Sequence, residues 1–473
     1  MCHRPAALQA LHLAGRVAYH RRKPRGPIGS EDGALRIRFW GTRGSIPKPG
    51  PSTVRYGGNT SCVEVRAEGT LIVLDCGTGA HELGQQLVTV NPGPMRGRLL
   101  ISHTHWDHIQ GFPFFAPLFV RGSEWDVYAP HQAGRTLEEI LAGQMHRTYF
   151  PVPLGELAAT IRYHELTEGA FDLDGVRVTT RYLNHPAPAL GYRLESNGVA
   201  VVYATDHEPH SRHHPDARGE VTWVHREDAR HIEFIAGADL VIHDAAYTLE
   251  EYPAKISWGH TPAEWAVDFA VAAHARRLAL FHHDPSRTDR EVDELLARCR
   301  RRLPATDPPE VFAAAEGQYL VVVRPGVSPA AAPALTTSAE RGLLPTETTI
   351  LVADDDLDVM AVIVDTLEPE GYRLLTASDG DTALRIARQA RPDIVVLDWM
   401  MPGQDGLSVC RALRQDPDPK VAAVPVVLIT GRADAQDTAA GFEAGVTDYL
   451  TKPFKPTHLL ARLQSWLIRS QGS

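Results

Sequence analysis

The chain has 473 residues, 43% of them hydrophobic and 22% charged, an ordinary globular composition with room for two or three domains and too much chain for one core. A formal charge of −10 excludes the overall basic excess that non-specific nucleic-acid binding needs, although a local basic groove stays open. Five cysteines (Cys2, Cys62, Cys76, Cys299, Cys410) are odd in number, scattered and without a CxxC pair, which points to a reducing compartment and leaves any metal to histidine and carboxylate.

Residues 1–34 contain the apolar patch "AALQALHLAGRVAY", broken by histidine and arginine and followed by the basic "HRRKPRG". Without a small-residue cleavage site this reads as a partly disordered extension, with a short amphipathic helix as the alternative, and not as a signal peptide. No run of 18 apolar residues occurs, so no transmembrane helix and no membrane partner are expected. Residues 35–323 then keep one style. Short β-rich runs ("LRIRFW", "SCVEV", "TLIVLD", "RLLISH", "VAVVYATD", "ADLVIHD", "RLALFHH") mostly end in His, Asp or Gly, as in α/β enzymes whose loops at one sheet edge carry the site.

The densest chemistry is "SHTHWDHIQG", Ser102 to Gly111. A strand leads into a compact loop, so that His103 and His105 suit one ion while Asp107 and His108, turned the other way, suit a second. Imidazole and carboxylate without thiolate favour Zn2+, with Mn2+ or Fe2+ as substitutes. Further donors stand at strand ends: His185 in "YLNHPAPALGYR", Asp206 in "VVYATDHE" and His282 in "LALFHHDP".

Together these residues resemble the metallo-β-lactamase superfamily with its HxHxDH signature, over about Leu35 to Val323. "IRFWGTRGSIP", "RYGGNTSCVEV", "LDCGTG", "ADLVIHDAAYT" and "WGHTPAEWAVDFAVAAHARRLALFHHDP" look like the branch containing ribonuclease Z and related phosphodiesterases. The resemblance implies an αββα sandwich in which His103, His105 and His185 hold one metal, Asp107, His108 and His282 a second, and Asp206 bridges both. Asp107 and His260 are then the catalytic candidates, with His260 protonating the leaving oxygen; its bland alternative is a helix-start histidine capping "TPAEWAV". His260 precedes His282 by 22 positions, the family spacing, which selects His282 over His283 as ligand and leaves His283 a supporting or surface group. Asp75 in "LDCGTG" would orient the metal loop. Such a centre implies hydrolysis without a covalent intermediate, since two close divalent ions activate water and neutralise charge on the substrate. Ribonuclease Z inserts a tRNA-gripping arm between the third ligand and the bridging aspartate, whereas only 20 residues separate His185 from Asp206 here. A small phosphoester such as a cyclic nucleotide is therefore the expected substrate, and the histidine-rich "DHEPHSRHHPDAR" is expected to be a solvated loop.

Residues 324–348, "RPGVSPAAAPALTTSAERGLLPTET", form a Pro/Ala/Ser/Thr-rich linker. Residues 349–473 then alternate strand and helix patterns five times, from "TILVADDD" to "HLLARLQSWLIRS", which implies a parallel, doubly wound (βα)5 sheet. "ILVADDD" and "DIVVLDWMMPGQDG" end strands in Asp354, Asp355, Asp356 and Asp398, whose mutual repulsion Mg2+ would relieve. With Thr430 in "VVLITGR" and Lys452 in "DYLTKPF", this stretch resembles the response-regulator receiver domain. By that resemblance Asp398 is the phosphoacceptor, and Asp354, Asp355, Asp398 and the Met400 carbonyl bind Mg2+. Thr430, Tyr449 and Lys452 form the switch.

The expectation is a cytoplasmic two-component effector: a dinuclear-metal hydrolase, a phosphodiesterase, controlled by phosphorylation of Asp398. Its partners would be a sensor histidine kinase or phosphotransfer protein and a small phosphoester, with homodimerisation open and no DNA-binding module in view. The rival readings are a non-catalytic signalling scaffold and an ester or lactone hydrolase of the same fold.

Overall fold

The structure is a computed structural model describing residues 34–67, 69–132, 134–210, 225–324, 348–431 and 444–452, together with 454, 456, 459, 460, 462, 463, 466 and 467. The expected N-terminal extension, apart from Ala34, and nearly all of the expected linker lie outside these residues.

Two seven-stranded sheets face each other. In the first, β1 (Leu35–Gly41), β2 (Cys62–Ala67) and β3 (Thr70–Leu74) are antiparallel, and β4 (Arg96–Leu100), β5 (Glu124–Pro130) and β6 (Thr160–Leu166) continue from β3 in parallel. In the second, β7 (Gly169–Leu173), β8 (Val176–Tyr182), β9 (Leu190–Ser196) and β10 (Val199–Ala204) are antiparallel, and β11 (Leu240–Asp244), β12 (Arg277–Phe281) and β13 (Glu310–Ala313) continue in parallel. The chain then returns, and β14 (Tyr319–Val322) pairs with β1.

Alternation along the strands accounts for the layers. Ile37, Phe39, Val63, Val65, Ile72 and Leu74 point inward from the first sheet and meet Val178, Tyr192, Leu194, Val201, Tyr203, Ile242 and Phe281 from the second. The opposite faces are apolar too, and helices cover them: α1 (Gly79–Val90), α2 (Trp106–Ile109) and α3 (Leu137–Gln144) belong to the first sheet's side, α4 (Arg226–Ile235), α5 (Ala263–Ala272) and α6 (Asp289–Arg301) to the second's. Strand β10, "VAVVYA", is buried at every position, the pattern of a strand covered on both faces. The longest helix of this half, α6, starts with a reciprocal cap between Thr288 and Glu291 that satisfies amides the helix itself leaves unpaired. The expected αββα sandwich is thus what forms.

The C-terminal half holds one five-stranded parallel sheet, ordered β16-β15-β17-β18-β19. Its elements are β15 (Thr349–Ala353), α7 (Leu357–Leu367), β16 (Arg373–Ala377), α8 (Gly380–Ala390), β17 (Ile394–Asp398), α9 (Gly406–Arg414), α10 (Pro419–Ala423), β18 (Val426–Thr430) and β19 (Asp448–Thr451), followed by helical residues between 456 and 467. The short α10, capped by Asp418, was not anticipated by the five-fold alternation. Residues 432–443, between β18 and β19, lie outside the described residues.

Candidate metal centre and phosphoacceptor pocket

The donors of the first half gather at one end of the sandwich because parallel strands deliver them there. Asp75 follows β3, His103 follows β4, Asp206 follows β10, Asp244 ends β11 and His282 follows β12. Three of these residues, Asp75 (φ 58°), Asp206 (φ 52°) and His282 (φ 57°), adopt left-handed backbone, a conformation that the surrounding structure must hold in place.

Two groups of three result. His103, His105 and His185 offer ring nitrogens within 4.8 Å of one another, and so do Asp107, His108 and His282 with one carboxylate oxygen. Asp206 lies between them: Oδ1 is 3.2 Å from Nε2 of both His108 and His282, and Oδ2 is 3.7 Å from His103 Nε2. All are buried except His105, so the cluster opens to solvent on that side. The structure therefore brings together every residue expected as a ligand of the metal pair, including His282 in preference to His283. His283 turns away, is 1% exposed and donates from Nε2 to the Ala314 carbonyl, so it is not a surface group.

Secondary partners fix which nitrogen each ring presents. His185 Nδ1 lies 3.1 Å from the Gly259 carbonyl and His108 Nδ1 lies 2.7 Å from Asp75 Oδ2, leaving Nε2 of each ring for the cluster. Asp75 also accepts from the Ser102 amide (2.6 Å), the Ser102 hydroxyl (2.8 Å) and the Tyr203 hydroxyl (2.6 Å), and so ties the metal loop to both sheets. Two glycines make room. A Cβ on Gly44 would sit 2.2 Å from the His282 ring, and one on Gly259 (φ +86°) would sit 2.1 Å from His185 Nδ1.

The electrostatics match a cation site. Burial would raise the Asp107 and Asp206 carboxyls, but the surrounding His108 and His282 hold both well below the usual carboxylate range. Burial drives His103 and His185 well below their ordinary value, so these imidazoles are neutral. Neutral rings at His103 and His185, ionised carboxylates at Asp107 and Asp206 that in turn raise His108 well above its ordinary value, and the buried Nε2 of His103, which has no hydrogen-bond partner among the described residues, make a donor set that fits divalent zinc.

His260 stands beside this cluster, its ring stacked 4.9 Å from that of His282. Its Nδ1 is 2.8 Å from Asp244 Oδ2 and 3.9 Å from Asp206 Oδ2. Burial lowers its pKa, but Asp244, then Asp206 and Asp107, outweigh burial and raise it to about 9. It does not cap α5, whose first turn is preceded by Pro262.

The solvated loop expected after Asp206 is a misreading at its start. Asp206, His207, Glu208 and Pro209 are buried, because Glu208 accepts from the Tyr252 hydroxyl and the Ser257 and Gly259 amides, each at 2.8 Å. Residues 211–224 lie outside the described residues. Sequence reasoning also missed Asp244 as a partner of His260, although "ADLVIHD" ends a strand in a carboxylate, and missed Ser45, whose amide donates to Asp107 Oδ2 at 2.7 Å. Nothing in the local sequence signals Ser45.

In the second half, Asp354, Asp355 and Asp398 offer carboxylate oxygens within 4.8 Å of one another at the carboxyl ends of β15 and β17. Lys452 Nζ bridges Asp354 (2.9 Å) and Asp398 (2.6 Å), and the Met400 amide donates to Asp398 Oδ2 at 2.8 Å. Burial, aided by the nearby Asp398 charge, raises the Asp354 carboxyl against the pull of Lys452. Thr430 ends β18 and is buried, its carbonyl accepting from the Lys452 amide, and Tyr449 on β19 stacks 6.3 Å from Trp399. Oxygen donors of this kind fit Mg2+.

Comparison with known proteins agrees with this division. A beta-lactamase superfamily domain profile matches residues 70–283, and a response regulator receiver domain profile matches residues 350–464. Among curated proteins, the DNA-binding response regulator MtrA of Mycobacterium tuberculosis is 42% identical over 121 residues, 26% of this chain and 51% of MtrA. The chain thus spans about half the length of the curated relatives it matches. Among solved structures, the metallo-beta-lactamase fold protein YhfI of Bacillus subtilis aligns with a TM-score of 0.43 at 16% identity, over 61% of this chain and 100% of YhfI. The short form of human tRNase Z aligns with a TM-score of 0.41 at 20% identity, over 61% of this chain and 100% of the human protein.

Proposed function

We propose that the chain, whose residues 70–283 match a beta-lactamase superfamily domain and whose residues 350–464 match a response regulator receiver domain, is a phosphorylation-controlled, dinuclear-metal phosphodiesterase acting on a small phosphodiester such as a cyclic nucleotide. The observation that carries this reading is the pair of three-residue donor groups joined by Asp206, with His260 at their edge.

His103, His105 and His185 would hold one ion, Asp107, His108 and His282 the other, and Asp206 both. Two divalent ions there would supply Lewis acidity and an activated water. The protein's own contribution is orientation and proton supply. Asp75 and the Gly259 carbonyl set the His108 and His185 rings, and His105 marks the solvent side from which substrate enters. His260, held protonated by Asp244, gives a proton to the leaving oxygen and is then reprotonated from solvent.

In the receiver, Asp354, Asp355, Asp398 and the Met400 carbonyl would bind Mg2+. Asp398 would accept a phosphoryl group from a sensor histidine kinase or phosphotransfer protein, most simply in the cytoplasm. Lys452, whose Nζ lies 2.6 Å from Asp398 Oδ1, would pair with the added charge, and Thr430 and Tyr449 would respond to it. Zinc-loaded protein should cleave bis-p-nitrophenyl phosphate or a cyclic nucleotide, and His105→Ala should abolish the cleavage. Equal rates for both proteins, or no phosphodiester cleaved at full metal content, would refute the proposal.

A further inference from the structure

Among the described residues, an arginine of the receiver hydrogen-bonds a side chain next to the candidate metal centre. Arg462, in the helical stretch after β19, has a side chain only 11% exposed. Its Nη1 donates to Asp448 Oδ2 at 3.0 Å within the receiver and to Asn184 Oδ1 at 2.7 Å in the metal-binding half. Both acceptors adjoin candidate site residues: Asp448 precedes Tyr449, and Asn184 precedes His185.

Asn184 is 5% exposed and fully engaged. With Oδ1 occupied by the guanidinium, its amide group must turn Nδ2 the other way, where it donates to the Glu208 carbonyl at 2.7 Å. Its backbone amide donates to His207 Nδ1 (3.1 Å), and its carbonyl accepts from the Glu208 amide (2.8 Å). The Glu208 carboxylate binds the Gly259 amide, and the Gly259 carbonyl meets His185 Nδ1. A closed circuit of hydrogen bonds therefore runs from Arg462 through Asn184, Glu208 and Gly259 to His185, while the covalent bond from Asn184 to His185 gives a second, shorter route.

The anchoring on the receiver side is equally specific. Asp448 also accepts from the Trp466 indole at 2.9 Å, and the Trp466 ring lies 6.4 Å from the His210 ring across the contact. Arg462 stays charged, because Asp448 more than offsets the cost of burial. A buried guanidinium with two fixed acceptors has one arrangement, so it transmits position and not merely attraction.

We infer that Arg462 is a positioning residue which the receiver supplies to the metal centre, setting the Asn184 amide and through it the His185 ring. This rests on the metal-site reading above but not on the phosphodiesterase reading. The test uses full-length protein, zinc affinity by chelator competition, and the visible spectrum of the Co2+-substituted form. Arg462→Ala should weaken zinc binding about tenfold, the scale of lost outer partners of a metal ligand, and should shift the Co2+ bands. Arg462→Lys, which keeps one donor between Asn184 and Asp448, should restore most of both. If Arg462→Ala unfolds because the buried Asp448 charge loses its cation, the double variant Arg462→Met with Asp448→Asn removes that charge and should show the same loss. Unchanged affinity and an unchanged Co2+ spectrum in the folded variant would overturn the inference. Wild-type protein that binds two zinc ions yet cleaves no ester would sink the phosphodiesterase reading and leave this one standing.

Discussion

His260 and Asp244 form a buried pair, with Nδ1 of the ring 2.8 Å from Oδ2 of the carboxylate. A histidine held in this way keeps its proton and its orientation, so Asp244→Asn should lower kcat by about a hundredfold on substrates with alkoxide leaving groups, the scale of a positioned general acid. Bis-p-nitrophenyl phosphate, whose leaving group needs no proton, should be cleaved at nearly the wild-type rate. Equal losses on both substrate types would remove His260 from the acid role.

Asp75 accepts four hydrogen bonds, from Ser102 twice, from Tyr203 and from His108. Asp75→Ala should weaken zinc binding by about ten- to a hundredfold, as expected for outer partners of a metal ligand. Chelator competition would show it, and affinity equal to wild type would count against the role.

Gly44 packs against His282 so closely that a methyl group would overlap the ring. Gly44→Ala should therefore displace His282 alone and leave the His103, His105 and His185 group in place. Elemental analysis should find the metal content falling toward half that of wild type, with the fold intact by circular dichroism. Full metal content would mean that the ring moves without losing its ligand position.

His225, which caps α4, is 3% exposed, and burial pushes its pKa down to about 3. The unfolded chain binds this proton near pH 6.5 and the folded chain does not until about 3, so stability is full above 6.5 and falls as the pH drops toward 3. Between pH 6.5 and 5 the loss from this group is about 2 kcal/mol. His225→Asn keeps a capping side chain and removes the titration, so urea unfolding at pH 7 and pH 5 should differ by about that much less than in wild type. An identical pH dependence in the two proteins would contradict the burial argument.

Asp398 is held between the Lys452 ammonium and the Met400 amide. Acetyl phosphate with Mg2+ should phosphorylate the wild type, detectable by intact mass, and should leave Asp398→Asn unmodified. Chelating Mg2+ should abolish the incorporation. Labelling of Asp398→Asn would place the phosphoacceptor elsewhere.

Much of the fold was legible because its signals are local. All-apolar strands such as "VAVVYA" and the strand–helix alternation after residue 349 specify covered, largely parallel sheets without any knowledge of partners. The candidate ligands were visible for a similar reason, four of seven falling within six positions from His103 to His108. Residues that act through distant partners were not. Glu208 lies in a stretch so polar that it reads as solvated, and only folding brings Tyr252, Ser257 and Gly259 to its carboxylate. Arg462 is one arginine in an amphipathic helical pattern until Asn184, 278 positions earlier, comes within 2.7 Å.

The left-handed backbone at Asp75, Asp206 and His282 also narrows the alphabet of residues these positions accept. Aspartate, asparagine and histidine tolerate such a φ better than other side chains, because a short polar group hydrogen-bonds its own backbone there. Glutamate shares aspartate's charge but not that tolerance. Asp206→Glu is thus doubly mismatched, in the reach of its carboxylate and in the conformation of its main chain, and charge alone is a poor guide to which variants of this centre survive.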